Sequence, residues 1–206
     1  NLRNASSYAV AYTIETAGDG NATITGTARA NLDRATIYQT LNVSSEGGAS
    51  ASEYYRPPGS PFLYTKLQVG GQVDYRRQNA TSADVSIFSN PVRAVTSASI
   101  EEPPDFRDAG TVATDEGPRR KFVIDRPDRL PPSVRGNYAE IRSVSWVVLV
   151  DEDRGYVTDV TYELTFVRRE GGDPRTVAFD LAYSGFGSTT VPEPDWLDAA
   201  REDTGG

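Results

Sequence analysis

Apolar and polar residues alternate with a period of two along most of this chain. In Val157–Val167, Val160, Tyr162, Leu164 and Phe166 fall on one face while Thr161, Glu163 and Thr165 fall on the other, the pattern of a strand with one buried face. Arg175–Ser184 repeats it, with Val177, Phe179, Leu181 and Tyr183 against Ala178, Asp180 and Ala182. Between them, Glu170-Gly171-Gly172-Asp173-Pro174 supplies turn residues, so the two runs are expected to form a hairpin with adjacent apolar rows. Near the start, Tyr8, Val10, Tyr12 and Ile14 alternate with Ala9, Ala11 and Thr13. Ala22–Asn31 follows as a strand, and its small residues Gly26, Ala28 and Ala30 are expected to leave room beneath the apolar face.

Ala35–Val43, Glu53–Arg56, Phe62–Val69 and Gln72–Arg77 continue the series, the last two across the hairpin signal Gly70-Gly71. The first 77 residues thus read as a meander of about six strands. In Ser82–Ser99, Val85, Ile87, Phe88, Val92 and Val95 line one helical face, with Asn90 as a cap and Pro91 opening a second short helix. Gly110–Thr114 and Arg119–Asp125 form a hairpin around Glu116-Gly117-Pro118, Pro127–Gly136 is irregular with a short helical turn, and Ser143–Val150 is a strand. The total is about eleven strands and two or three short helices. The expected fold is α+β, a single antiparallel domain whose apolar sheet face needs a cover. Residues 1–6 are assigned to a tether, 7–197 to a single domain and 198–206 to a C-terminal tail.

Composition narrows the chemistry. The chain has neither Cys nor His, which removes disulfides, thiolate zinc sites, nucleophilic thiols and any Ser-His-Asp arrangement. No cofactor and no metal are expected, and the reading is of a protein that is not an enzyme. Asp151-Glu152-Asp153 lacks the spacing of a calcium loop and reads as a solvated turn. Glu101-Glu102, beside Pro103-Pro104, has no carboxylate partner at an arguable distance. Arg119-Arg120 and Arg168-Arg169 are expected to pair with surface acids.

A net charge of -8 disfavours nucleic acid. Lys66 and Lys121 are the only lysines among 21 basic residues, an Arg-rich and acid-rich balance that suits a halophile, although a GC-rich genome gives the same Arg bias. No apolar run is long enough to span a bilayer. Four Asn-X-Ser/Thr sequons, at Asn4, Asn21, Asn42 and Asn79, suggest a secreted, N-glycosylated surface.

The order of strands, short helical segment, hairpin, Pro-rich crossing and three long strands, ending in Ser184-Gly185-Phe186-Gly187-Ser188-Thr189-Thr190-Val191-Pro192-Glu193-Pro194, resembles the LolA-like lipoprotein superfamily that includes the LppX and LprG group. It is most similar to the uncharacterised haloarchaeal lipoproteins of that superfamily, which end in a phrase like Val191-Pro192-Glu193-Pro194-Asp195-Trp196-Leu197. The resemblance implies a half-barrel with helices on its concave side, a cavity for a lipid or other apolar ligand, and display outside the cell through a lipidated N-terminus absent from this chain. The candidate ligand surface is the alternating apolar face, with Tyr12, Ile14, Tyr162, Leu164, Phe166, Phe179, Leu181 and Tyr183 as its expected lining. Pattern alone does not separate such a surface from ordinary core. The second expectation is a structural or adhesive subunit that self-associates, with Tyr8–Glu15 as a strand donated to a neighbouring copy.

Overall fold

A computed structural model describes residues 5–18, 20–80 and 104–204. The helix expected over Ser82–Ser99, the Glu101-Glu102 pair and Asn4 lie outside the described residues. The chain folds as one eleven-stranded antiparallel sheet, curved and unclosed, in the order β6-β5-β4-β3-β2-β1-β11-β10-β9-β8-β7. The strands are β1 (Ser7–Ala17), β2 (Ala22–Asn31), β3 (Thr36–Ser45), β4 (Gly48–Arg56), β5 (Phe62–Val69), β6 (Gln72–Asn79), β7 (Arg107–Thr114), β8 (Gly117–Ile124), β9 (Glu140–Asp151), β10 (Tyr156–Val167) and β11 (Arg175–Ser184). A 3-10 turn at Pro127–Arg129 and helix α1 (Pro132–Arg135) fill the Pro-rich crossing, and helix α2 (Leu197–Asp203) lies near the C-terminus. This is the half-barrel architecture that the resemblance implies, built from the antiparallel strands that the alternation predicts.

Two meanders, β1 to β6 and β7 to β11, meet where the first strand pairs with the last. Val10 sits opposite Tyr183, and Tyr12 opposite Leu181. On its other side β1 pairs along its length with β2. Both edges of Tyr8–Glu15 are therefore used within its own sheet. The expectation that this segment is donated to a neighbouring copy is corrected: its hydrogen-bonding groups are already taken.

Turn chemistry sets the hairpins. Between β5 and β6, Gly70 and Gly71 both hold positive φ, 57° and 83°, the combination that a two-residue hairpin turn needs and that only glycine adopts easily. Irregularities interrupt the β9–β10 register between Val157 and Asp159 and again between Thr165 and Phe166, bending the longest pair.

The sheet is buried on both sides, over different strands. Inward, the core gathers Tyr8, Val10, Tyr12, Trp146, Val160, Tyr162, Leu164 and Leu181 with Leu130 and Val134 from the Pro-rich crossing. Outward, Tyr55 and Tyr64 form a second cluster with Trp196, Leu197 and Ala200. Strand alternation places Tyr38, Glu53, Tyr55, Tyr64, Lys66 and Tyr75 on that outer face, because Tyr38 pairs with Tyr55, Tyr55 with Tyr64 and Lys66 with Tyr75. After β11 the chain crosses the outer face. Thr189 N donates to Ser7 Oγ at 3.0 Å, Gly187 N donates to Ser7 O at 2.9 Å, and α2 packs on β5 and β6. The residues assigned from sequence to a tail thus include a helix. Its only periodic apolar signal is the pair Leu197 and Ala200, too short to register as a helix by pattern.

Candidate functional site

The inner face is built in rows. Tyr12, Leu181, Val160, Val148 and Phe122 stand side by side across five strands, and Ile14, Phe179, Tyr162, Trp146 and Ile124 form the next row. Leu164 follows, flanked by Val177 and Val144, and Phe166 lies beyond it near Ile141. Tyr183 sits one step the other way, opposite Val10. All eight residues expected to line a ligand surface are therefore brought onto one face. Seven of them are buried and Ile14 is half-buried against the same core.

Aromatic contacts order this layer. Trp146 meets Tyr162 edge-on at 5.4 Å and Phe106 edge-on at 5.1 Å. Tyr138, which follows α1, packs on Phe166 at 4.3 Å, and Tyr8 tilts against Tyr183 at 6.1 Å. Burial raises the hydroxyl pKa of Tyr8 to about 12 and pushes those of Tyr162 and Tyr183 higher still, since the phenolate form is disfavoured in apolar surroundings. These tyrosines act as neutral aromatic surface throughout the physiological range.

At one position the expected space is taken. A Cβ on Gly26 would stand 2.3 Å from the Tyr12 ring and 2.5 Å from Thr40 O, so the Tyr12 ring lies directly across the glycine. Its hydroxyl accepts from Gln39 Nε2 at 2.8 Å and donates to Thr40 O at 3.4 Å. Gly26 is small in order to seat Tyr12, which corrects the expectation that it leaves room.

Among the described residues, three buried side-chain atoms have no hydrogen-bond partner: Tyr8 Oη, Trp146 Nε1 and Arg129 Nε. Tyr8 and Trp146 are each 0% exposed. A buried donor without an acceptor costs about 1–3 kcal/mol, and native interiors contain few. No sequence signal marks these atoms, because each belongs to a residue type that is ordinarily satisfied or exposed.

Sequence reasoning also missed a polar cluster on the outer face. One Glu53 oxygen accepts from Tyr38 Oη at 2.5 Å and Trp196 Nε1 at 2.7 Å, and the other accepts from Lys66 Nζ at 2.9 Å. Burial works against the charged form of Glu53, but these three donors outweigh it and hold its pKa below the usual carboxylate value. The Tyr38 hydroxyl is raised by burial and by its bond to Glu53. Trp196 also stacks on Tyr75 at 6.3 Å. This cluster fastens the C-terminal segment to the sheet.

Of the remaining charged candidates, Arg119 and Arg120 take part in ion pairs. Arg119 pairs with Glu116 at 3.4 Å and Asp151 at 3.6 Å, while Arg120 pairs with Asp108 and Glu152, as expected of arginines near surface acids. Asp151 also accepts from Arg154 N at 3.1 Å, closing a hairpin turn in which Glu152 and Asp153 are exposed. Asn21, Asn42 and Asn79 are exposed. Among the described residues there is no cluster of three or more acidic side chains suited to a metal, and no helix is long and apolar enough to cross a membrane.

The profile of a family described as a family of unknown function, DUF7537, matches residues 1–200. Among solved structures, the chain is similar to the Mycobacterium tuberculosis lipoprotein LppX, with 10% identity, a TM-score of 0.48, and coverage of 93% of this chain and 91% of that one. A DUF1329 family protein from Desulfovibrio piger matches at 9% identity and a TM-score of 0.32, covering 95% of this chain and 91% of the other. An uncharacterized conserved protein from Thermus thermophilus matches at 13% identity and a TM-score of 0.37, covering 95% and 86%. No curated protein sequence matches.

Proposed function

For this chain, which belongs to the DUF7537 family, we propose a non-catalytic role: it binds an apolar ligand of lipid type along the inner face of the half-barrel. The observation that carries the reading is the inner face itself. Tyr12, Leu181, Val160 and Val148 in one row, and Ile14, Phe179, Tyr162 and Trp146 in the next, give apolar side chains on adjacent strands with no charged group between them. A curved sheet lined in this way offers a surface shaped for an acyl or prenyl chain, whose burial is favourable by roughly 25 cal/mol per Å² of apolar area. In the same proposal the protein acts outside the cell, held at the membrane by a lipidated N-terminus, with glycans on Asn21, Asn42 and Asn79. A haloarchaeal lipoprotein origin accounts for the arginine-rich, acid-rich surface.

The test is titration of the purified chain with N-phenyl-1-naphthylamine, a neutral dye that brightens in apolar surroundings. Saturable uptake near one dye per chain, reversed by added diacyl phosphatidylcholine, is expected. A linear, non-saturating signal that lipid does not reverse overturns the reading.

A further inference from the structure

The sheet is unclosed, so among the described residues β6 and β7 each pair on one side only. β7 is interrupted. Its register shifts between Asp108 and Thr111, where Gly110 holds a φ of 82° and its N–H donates to Asp108 Oδ1 at 2.8 Å, a bulge of the kind that blunts an edge. β6 is regular: Gln72–Asn79 pairs with β5 in one unbroken register and contains neither Pro nor Gly. The large apolar side chains left exposed among the described residues, Val69 and Val73, stand at the turn end of the same β5–β6 hairpin.

One hydrogen bond fixes the direction of the free backbone groups. Ala80 N donates to Pro61 O at 2.7 Å, continuing the β5–β6 register, so the even-numbered residues of β6 aim their N–H and C=O at β5. Alternate residues of an antiparallel pair point the other way, which leaves the backbone groups of Val73, Tyr75 and Arg77 facing outward from the edge. Side chains follow the same period. Tyr75 stacks on Trp196 on the outer face, so Val73 and Arg77 share that face, while Asp74 and Arg76 project from the inner one. Asp74 and Arg76 are 55% and 68% exposed and pair with each other at 2.8 Å.

We propose that β6 is a self-association edge: two copies of this chain join antiparallel, β6 against β6, about a twofold axis at Tyr75. A twofold pairing sets outward-facing residues against each other, and the charges of β6 choose among the registers this allows. Centring the pair on Asp74, Arg76 or Arg77 sets a like charge against itself. Centring it on Tyr75 places Asp74 of each copy opposite Arg76 of the other, at non-hydrogen-bonded positions where side chains approach most closely. Val73 then lies against the aliphatic stem of Arg77 from the second copy, and Gln72 faces Gln78. Opposed residues have the same parity, so both inner faces stay on one side of the joined sheet. Asn79, a sequon residue, falls beyond the paired stretch. The pairing stands whether or not the inner face holds a ligand.

Sedimentation velocity of the whole chain at low ionic strength, from about 1 μM to about 1 mM, tests it, because an edge of this size makes a small, weak interface. A concentration-dependent dimer is expected. Asp74→Arg and Arg76→Asp each bring like charges together on both sides of the axis, and each should weaken dimerisation by roughly tenfold or more. Both side chains are exposed, so each variant should keep the circular dichroism of the native chain. Mixed in equal amounts, the two variants are complementary and should form the dimer that neither forms alone.

A native chain that stays monomeric throughout overturns the proposal. A dimer that Asp74→Arg leaves intact, or a mixture of the two folded variants that stays monomeric, overturns the assignment to β6. Growth into open polymers overturns the twofold register.

Discussion

Replacing Glu53 by Gln tests whether the outer-face cluster fastens the C-terminal segment to the sheet. The glutamine is isosteric but has one acceptor oxygen and one donor amide where Glu53 has two acceptors. Trp196 Nε1 and Tyr38 Oη both reach one oxygen, so the favoured orientation keeps that oxygen toward them and turns the amide toward Lys66. Two charge-assisted bonds become neutral ones, with a loss of roughly 0.5–1 kcal/mol each, and the partly exposed pair with Lys66, side chains 25% and 24% exposed, is lost at about 0.5 kcal/mol. The sum is about 2 kcal/mol. For a chain of this length that corresponds to a fall in melting temperature of roughly 4–8 °C.

The pH dependence has a definite sign. Glu53 has its pKa lowered on folding, so the unfolded chain binds more protons near its unfolded value of 4.5. The stabilisation is fully present above that pH and is lost as pH falls through the lower, folded pKa. Urea unfolding followed by Trp196 fluorescence in a Trp146→Phe background, where Trp196 is the only tryptophan, gives both quantities. The difference between native and Gln chains should be near 2 kcal/mol at pH 7 and shrink as the solution is acidified below 4.5. A difference under about 0.5 kcal/mol at pH 7, or one that grows on acidification, refutes the reasoning.

Gly26→Ala forces a methyl group against the Tyr12 ring and the Thr40 carbonyl, and should destabilise by roughly 1–3 kcal/mol in urea unfolding; truncating Tyr12 should relieve only part of this, since the backbone contact remains. Tyr8→Phe removes a hydroxyl that has no partner, so stability should be unchanged or higher by up to about 1 kcal/mol, measured by the urea midpoint. Trp196→Ala removes the stack on Tyr75 and the bond to Glu53, and should destabilise by about 3–5 kcal/mol and raise binding of an apolar dye to the uncovered Tyr55 and Tyr64.

The strands were legible wherever one face is buried and the other is wet. β11 occupies the same residues, Arg175–Ser184, that alternation assigns to it, and β10 begins one residue before its expected start at Val157. β4 shows where the pattern weakens. Alternation finds only Glu53–Arg56, while the strand begins at Gly48. Gly48-Ala49-Ser50-Ala51-Ser52 has little intrinsic strand preference and is held extended by pairing with β3 along its length and with β5 from Ser50 onward. Pairing between distant segments overrode local propensity there, and no local window contains that information.

The inner-face residues were legible for the same reason as the strands, whereas the outer cluster was not, because Glu53 and Trp196 are 143 residues apart. A subtler signal was present. In β4 and β5 the dipeptides Tyr54-Tyr55 and Leu63-Tyr64 put apolar side chains on both faces of adjacent strands. A strand wet on one face alternates, and one that breaks alternation with consecutive apolar residues is covered on both. Tyr38 and Tyr75 extend the same outer row onto the flanking strands. Four tyrosines on the outer face require a cover from elsewhere in the chain. Beyond β11 the chain supplies it with Trp196 and Leu197, which pack against Tyr55 and Tyr64.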